Sequence, residues 1–220
     1  MKKLDGKGHR LYENHGGVID FKDDKIAFFV KYCKGKDVLD IGCVQHDPEN
    51  YLNKHWLYGA LNQVANSCVG LDYLEEGVKY LVQKGFNMEL GNAEDFDLGK
   101  KFDVITAGDL IEHLGNISNF LQSCKNHMKN DSLLLLSFPH PWHWRTVAKA
   151  LFTYDVKPNK EHTCWLCVGT FTNFVARHDM EIVEIRGGMR TALTYPLLDK
   201  FVPLATLRNN SILAAVKLKS

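Results

Sequence analysis

The chain has 220 residues, 27 Lys+Arg against 26 Asp+Glu for a formal net charge of +1, and 45% hydrophobic residues. That length suits one domain able to bury a core without disulfide staples, and the near-neutral balance supplies no general field for nucleic acid. No run of about 18 apolar residues is present to span a membrane. MKKLDGKGHR at the start has lysines but no apolar stretch behind them, so no signal peptide is read and a cytoplasmic location with reduced cysteines is expected.

Short β-rich runs alternate with helical stretches, which argues for a doubly wound α/β domain. Residues 24–33 read as an amphipathic helix punctuated by Gly35, and DVLDI at 37–41 as a buried strand ending at Gly42. A helical region follows within 48–65, with Pro48 suited to an early helical position. SCVGL at 67–71 is the second strand, 75–84 a helix stopped by Gly85, and 86–90 the third strand. FDVITA at 102–107 is the fourth strand, 117–128 a helix, and SLLLLSF at 132–138 a strand covered on both faces. Beyond Pro139 the rhythm loosens: 140–163 is aromatic and His-rich, 170–178 is helical, and 181–185 and 212–218 read as final strands. No repeat appears, so residues 1–220 are expected to form one domain, with a core over about 24–139 and acceptor-side segments and last strands over 140–220. Functional residues should gather at the carboxyl ends of the strands.

Three strand ends carry candidate ligand chemistry. The first runs Asp40-Ile41-Gly42-Cys43 and lacks the later glycines of a pyrophosphate cradle, which weakens a dinucleotide and leaves room for a ligand without diphosphate. The second ends in Gly70-Leu71-Asp72, a carboxylate placed to accept both ribose hydroxyls. The third ends in Gly91-Asn92-Ala93-Glu94, whose amide and carboxylate could read an adenine edge. Each alone is ordinary turn chemistry; three on successive strands form a pattern.

VLDIGC, VGLDYLEEGVKYL, GNAEDFDL, KFDVITAGDLIEHL and KNDSLLLLSFP, spanning about 36–139, resemble the class I S-adenosylmethionine-dependent methyltransferases. The resemblance implies a Rossmann-like, mostly parallel, seven-stranded sheet whose last strand runs antiparallel. It implies S-adenosylmethionine as methyl donor, with Asp40, Gly42 and Cys43 around its methionine part and Asp72 on the ribose. Tyr73 would pack near the adenine, Asn92, Ala93 and Glu94 would line the base, and Gly108 and Asp109 would flank the sulfonium. Val44-Gln45-His46 stand where the family usually carries another glycine.

A second constellation follows the fourth strand, where a helical turn starting at Asp109 would put Asp109, Glu112 and His113 on one face. Carboxylates with imidazole suit a divalent cation such as Mg, Mn or Fe. Ubiquinone-pathway and small-RNA 2′-O-methyltransferases carry a similar E-x-x-E-H that holds a metal, with a late His for which His162 is the match. A cation there would acidify and position an acceptor hydroxyl; without it, His113 would act as general base, with Asp109 beside it.

Other signals carry less. Cys164-x-x-Cys167 lacks the second ligand pair of a zinc site. The stretch 138–144 (FPHPWHW) suits stacking on a sugar or a planar ring, or plain packing. Residues 9–15 could form a lid, and one or two of Arg145, Arg177, Arg186, Arg190 and Arg208 could hold a phosphate. No basic stripe with interleaved aromatics points to RNA. The segments 108–122 and 159–185 are similar to methyltransferases found with bacterial surface-polysaccharide enzymes. That similarity implies O-methylation of a sugar hydroxyl on a nucleotide-activated sugar; the alternative is a quinone-type or other aromatic acceptor.

Overall fold

Two-residue alternation along the strands decides which side chains meet which helices, because successive side chains point to opposite faces of a sheet. A computed structural model describes residues 25–45, 47–53, 55–153, 156, 159–188, 207 and 209–219. The 9–15 segment, Arg190, Arg208 and most of 187–210 lie outside them.

The elements run α1 (Lys25–Cys33), β1 (Asp37–Ile41), α2 (Leu57–Val64), β2 (Ser67–Asp72), α3 (Glu75–Gln83), β3 (Met88–Leu90) and β4 (Phe102–Gly108). Then come α4 (Ile117–Asn126), β5 (Met128–Pro139), α5 (Trp144–Phe152), α6 (Val168–Arg177), β6 (Met180–Gly188) and β7 (Ser211–Leu218). The seven strands form one sheet in the order β3-β2-β1-β4-β5-β7-β6. The pairs from β3 to β5 are parallel, and β7 lies antiparallel between β5 and β6, as the resemblance implied. The order turns at β1 and β4, which places a ligand crevice above their carboxyl ends.

Leu39, Ile41, Leu134, Leu136 and Phe138 face one layer with Phe120, Leu121 and Cys124 of α4 and Phe171 and Val175 of α6. Val38 and Leu135 face the other, against Phe28 and Phe29 of α1, Leu57, Tyr58 and Leu61 of α2, and Val78 and Leu81 of α3. Burial of the middle of β5 on both faces explains its continuous apolar run.

Several boundaries differ from the sequence reading for identifiable reasons. The 48–65 region divides into a 3-10 turn at Pro48–Leu52 and α2, because Trp56 intervenes and its indole Nε1 donates to Cys43 O at 2.7 Å. The third strand starts at Met88, not at 86. Phe86 instead donates its N–H to Leu81 O at 3.1 Å and packs its ring 4.9 Å from Trp56. The fourth helix stops at Asn126, and β5 begins at Met128. Helix α6 starts at Val168 because Cys167 and Thr170 form a capping box, a signal hidden by the unusual cysteine. Helix α5 was not expected, and none of its residues is buried. No helix among the described residues is long and apolar enough to cross a membrane.

Candidate active site

The turn after β1 makes its bend with Gly42 at φ +80°, a conformation that L side chains rarely adopt. A Cβ there would also sit 3.1 Å from Leu110 Cδ1, so this turn closes directly on the loop after β4. The missing later glycine has a local answer. Gln45 itself takes φ +56°, and Val44 turns its side chain onto α3, where Gly77 makes room: a Cβ on Gly77 would lie 2.4 Å from Val44 Cγ1. The glycine that the turn lacks is supplied by the helix facing it.

Asp40 lies beneath this turn, 2% exposed, accepting from Thr106 Oγ1 at 2.6 Å. Burial pushes its carboxyl up to about 7, with the nearby Asp72 adding to the rise and Thr106 and Lys25 opposing it. A proton held more tightly in the fold than in the open chain makes this group cost stability as pH climbs from about 4 to about 7. Asp40→Asn is therefore expected to gain on the wild type across that window, by roughly 1–4 kcal/mol at its upper end. Thermal melts of both proteins at stepped pH read the difference; one that ignores pH rules the assignment out.

Asp72 closes β2, with Oδ2 accepting the Val44 N–H at 2.9 Å and Oδ1 the Leu74 N–H at 3.0 Å. These bonds tie the acid to the Gly42 turn and fix its carboxylate at the rim. Tyr73 next to it leaves its ring 70% exposed. Asn92 folds its side chain onto the Glu94 N–H at 3.0 Å, Ala93 packs on the core, and Glu94 Oε1 accepts from Gly115 N at 2.7 Å. The loop after β3 is thereby linked to the loop after β4. Cys43 is buried with its thiol pushed well up by burial and by Asp40 and Asp72, which makes it a packing residue against Met88 and no nucleophile.

Gly108 ends β4 and Asp109 follows it, with Lys25 and Leu57 beside Gly108. Here the structure corrects an expectation. Asp109 does not begin a helical turn: it has φ +52°, and the 3-10 turn spans Ile111–His113. Its carboxylate is drawn toward α1 and β5, accepting from Lys25 Nζ at 2.6 Å and from Ser137 Oγ at 2.8 Å. Glu112, His113 and His162 do converge, with ligand atoms all within 4.8 Å of one another, and Asp109 is not in that group. The left-handed residue removes it from the i, i+3, i+4 face.

His162 arrives through a dock that the sequence did not disclose. Thr163 donates its N–H to Glu112 O at 2.8 Å and its Oγ1 hydrogen to Leu114 O at 2.6 Å. The rings of His113 and His162 stand edge to face with centroids 4.8 Å apart, and Glu112 is 3% exposed. Burial and the neighbouring His113 hold the His162 imidazole below its ordinary value, so it stays a neutral donor of a lone pair. Two imidazoles and one carboxylate in this spacing fit a divalent cation of the borderline class.

Phe138, Pro139, Cys164, Trp165 and Leu166 surround Glu112 with only small gaps left between them. Phe138 is 1% exposed and packs on Phe171 in the core, so this end of the 138–144 stretch follows the plain-packing reading. Trp142 is exposed, and His140 is buried and pushed down to about 4 by burial and by His143. Lys25, Ser137, Thr163 and Trp165 belong to the site and were not singled out by the sequence reading.

A family model described as a methyltransferase domain matches residues 16–185. The chain is 29% identical over 131 residues to the (S)-tetrahydroprotoberberine N-methyltransferase of Eschscholzia californica, covering 57% of this chain and 37% of that one. It is 30% identical over 115 residues to the ubiquinone biosynthesis O-methyltransferase of Haemophilus ducreyi, covering 47% and 45%. The chain thus spans less than half the length of these relatives. Among solved structures, an S-adenosylmethionine-dependent methyltransferase from Clostridium acetobutylicum superposes with TM-score 0.59 at 12% identity, covering 90% of this chain and 94% of that one. Magnesium protoporphyrin IX methyltransferase from Synechocystis with bound S-adenosylhomocysteine gives 0.58 at 19%, covering 87% and 80%. At these identities the likeness is one of fold.

Proposed function

The chain belongs to the class I S-adenosylmethionine-dependent methyltransferases, and we propose that it methylates an oxygen of a small acceptor bearing an aromatic ring. The observation that carries this reading is the convergence of Glu112, His113 and His162, with ligand atoms all within 4.8 Å of one another. Trp165, three residues after His162 and 41% exposed, offers a face to a planar ring, and the carboxylate and imidazoles meet the hydroxyl to be methylated. The two relatives compared above bear names of an N-methyltransferase and of a ubiquinone-pathway O-methyltransferase, which agrees with a ring-bearing acceptor.

S-adenosylmethionine, when bound, supplies a methyl group on a sulfonium that needs no further activation. The residues fit it: a carboxylate at the end of β2 for the ribose, an exposed Tyr73 for the adenine, and a Gly42 turn without the amide cradle of a diphosphate. Glu112, His113 and His162 would hold a divalent cation, which when bound would supply Lewis acidity to the acceptor hydroxyl. Without it, His113 takes the proton from the hydroxyl as methyl transfer proceeds. In this reading one domain carries all of it, with a core over about 24–139 and acceptor-side segments and last strands over 140–220.

A nucleotide-activated sugar ranks second. Its support is the exposed ring of Trp142, open to stacking on a sugar face. The test is incubation of the full chain with S-adenosylmethionine carrying a labelled methyl group, with and without EDTA. The acceptors are catechols, quinols, ring-bearing amines and nucleotide sugars, and mass spectrometry reads the product. A labelled phenol oxygen supports the proposal, and its loss with EDTA supports the cation. A labelled sugar or amine replaces the acceptor reading, and no labelled product from protein that binds the cofactor overturns it.

A further inference from the structure

The two ends of the sheet carry opposite charge. Asp40, Asp72, Asp109 and Glu112 lie at or just beyond the carboxyl ends of β1, β2 and β4. At the amino ends of β1 and β4 lies a cleft of about 810 Å³, walled by the end of α1 and the start of β5. Five lysines line it, Lys31, Lys34, Lys36, Lys101 and Lys129, against the two acids Asp103 and Asp131. A lining of formal charge +3 thus sits in a chain whose total is +1. The seven residues of β4 separate it from the cofactor mouth by roughly 20 Å.

The acids around the cleft are already served. Asp103 accepts from Lys129 Nζ at 2.6 Å and from the Asp37 N–H at 2.9 Å, and Asp37 accepts from Asn66 Nδ2 at 2.7 Å and Ser67 Oγ at 2.8 Å. Lys129 is thereby held between two carboxylates, and Lys31 reaches Glu184 at 3.6 Å. Lys34, Lys36 and Lys101 are exposed and make no ion pair among the described residues.

We propose that this cleft docks an acidic segment of a partner polypeptide. Cations without counter-charges in a concave surface focus a positive potential outward, which draws in and orients a chain of opposite sign. Every cation of the lining is a lysine, a point charge on a long stem. None offers the planar fork that grips one phosphate at two points, so the lining suits carboxylates spaced along a chain better than a single compact anion. The lysines also come from three separate segments: the end of α1 and its following turn, the residue before β4, and the start of β5. Between them, half-buried Tyr32 and Leu133 give an apolar residue of the segment a surface to rest on. A concave lining meets a peptide along its depth, whereas a flat bilayer would touch only the rim. Docking at this end leaves the carboxyl ends of the strands open, so ligands enter the mouth with the partner in place.

The test is fluorescence anisotropy of the full chain with a labelled peptide of glutamates interrupted by leucines, at low and at physiological ionic strength. The variant Lys34→Gln/Lys36→Gln/Lys101→Gln is expected to weaken the peptide about tenfold at low salt, with S-adenosylhomocysteine affinity unchanged. The control Lys79→Gln/Lys84→Gln/Lys149→Gln removes the same charge around α3 and α5 and should cost less than about twofold. Equal weakening in the two variants means attraction to net charge alone and overturns the proposal, as does a wild type that leaves the peptide unbound at low salt. Displacement of the peptide by inorganic phosphate at matched ionic strength reassigns the cleft to a small anion. Binding to vesicles of phosphatidylcholine and phosphatidylglycerol that needs the same three lysines, while peptide binding does not, reassigns it to a lipid surface. Either of these results also overturns the proposal.

Discussion

Substitution of His113 by Ala is expected to lower methyl transfer by about 10²–10⁴-fold while leaving S-adenosylhomocysteine affinity within about twofold. The imidazole faces His162 across 4.8 Å and stands beside buried Glu112; in the proposed reading it would serve the acceptor oxygen whether it ligates a cation or takes the proton itself. In the proposed reading neither role touches the nucleoside, which would be held at the ends of β2 and β3. Single-turnover transfer of a labelled methyl group, read beside calorimetric binding, separates the two quantities. Near-normal turnover in the variant would sink both versions of the chemistry. His162→Ala distinguishes between them: loss of turnover comparable with that of His113→Ala, together with loss of sensitivity to EDTA, favours the cation.

The second large effect belongs to Asp72. In the proposed reading Asp72→Ala would remove the acceptor for two ribose hydroxyls, and charge-assisted hydrogen bonds of this kind are worth about 1.5–3 kcal/mol each. Affinity for S-adenosylhomocysteine should fall by roughly 10²-fold or more. The same carboxylate accepts the Val44 and Leu74 N–H groups, so the alanine variant also loosens the Gly42 turn. Asp72→Asn keeps an oxygen for one of these and is the cleaner probe: it should retain the wild-type melting temperature more closely while still binding the cofactor weakly. Unchanged affinity in Asp72→Asn would remove the ribose assignment.

Why the strand ends were legible and the metal-like cluster only partly so follows from what each depends on. Asp40, Gly42, Asp72 and Asn92–Glu94 sit at the termini of strands, and a strand's end is marked locally by where apolar alternation stops and turn residues begin. The sheet then carries them to one edge by parallel pairing. Glu112 and His113 were found because they are adjacent in the chain, but the inclusion of Asp109 assumed a continuous helical turn. One left-handed residue at φ +52° goes with a carboxylate bonded to Lys25 and Ser137 and outside the Glu112–His113–His162 group. Nothing in the local pattern marks Asp109 as left-handed, although Asp tolerates that region better than most residues.

Composition, periodicity and turn chemistry alone therefore determined the α/β class, the main strands and the row of acids and glycines that a nucleoside-bearing cofactor requires. These are short-range properties, set by side-chain alternation and by which residues can adopt a bend. Only the tertiary structure decided the partners of those residues. Lys25 meets Asp109 across 84 positions, Thr163 docks on Leu114 across 49, and Gly77 accommodates Val44 where the turn lacks its glycine. Each is a contact between distant segments, fixed by how helices pack on the sheet and by the space left between them, and no window of sequence contains it.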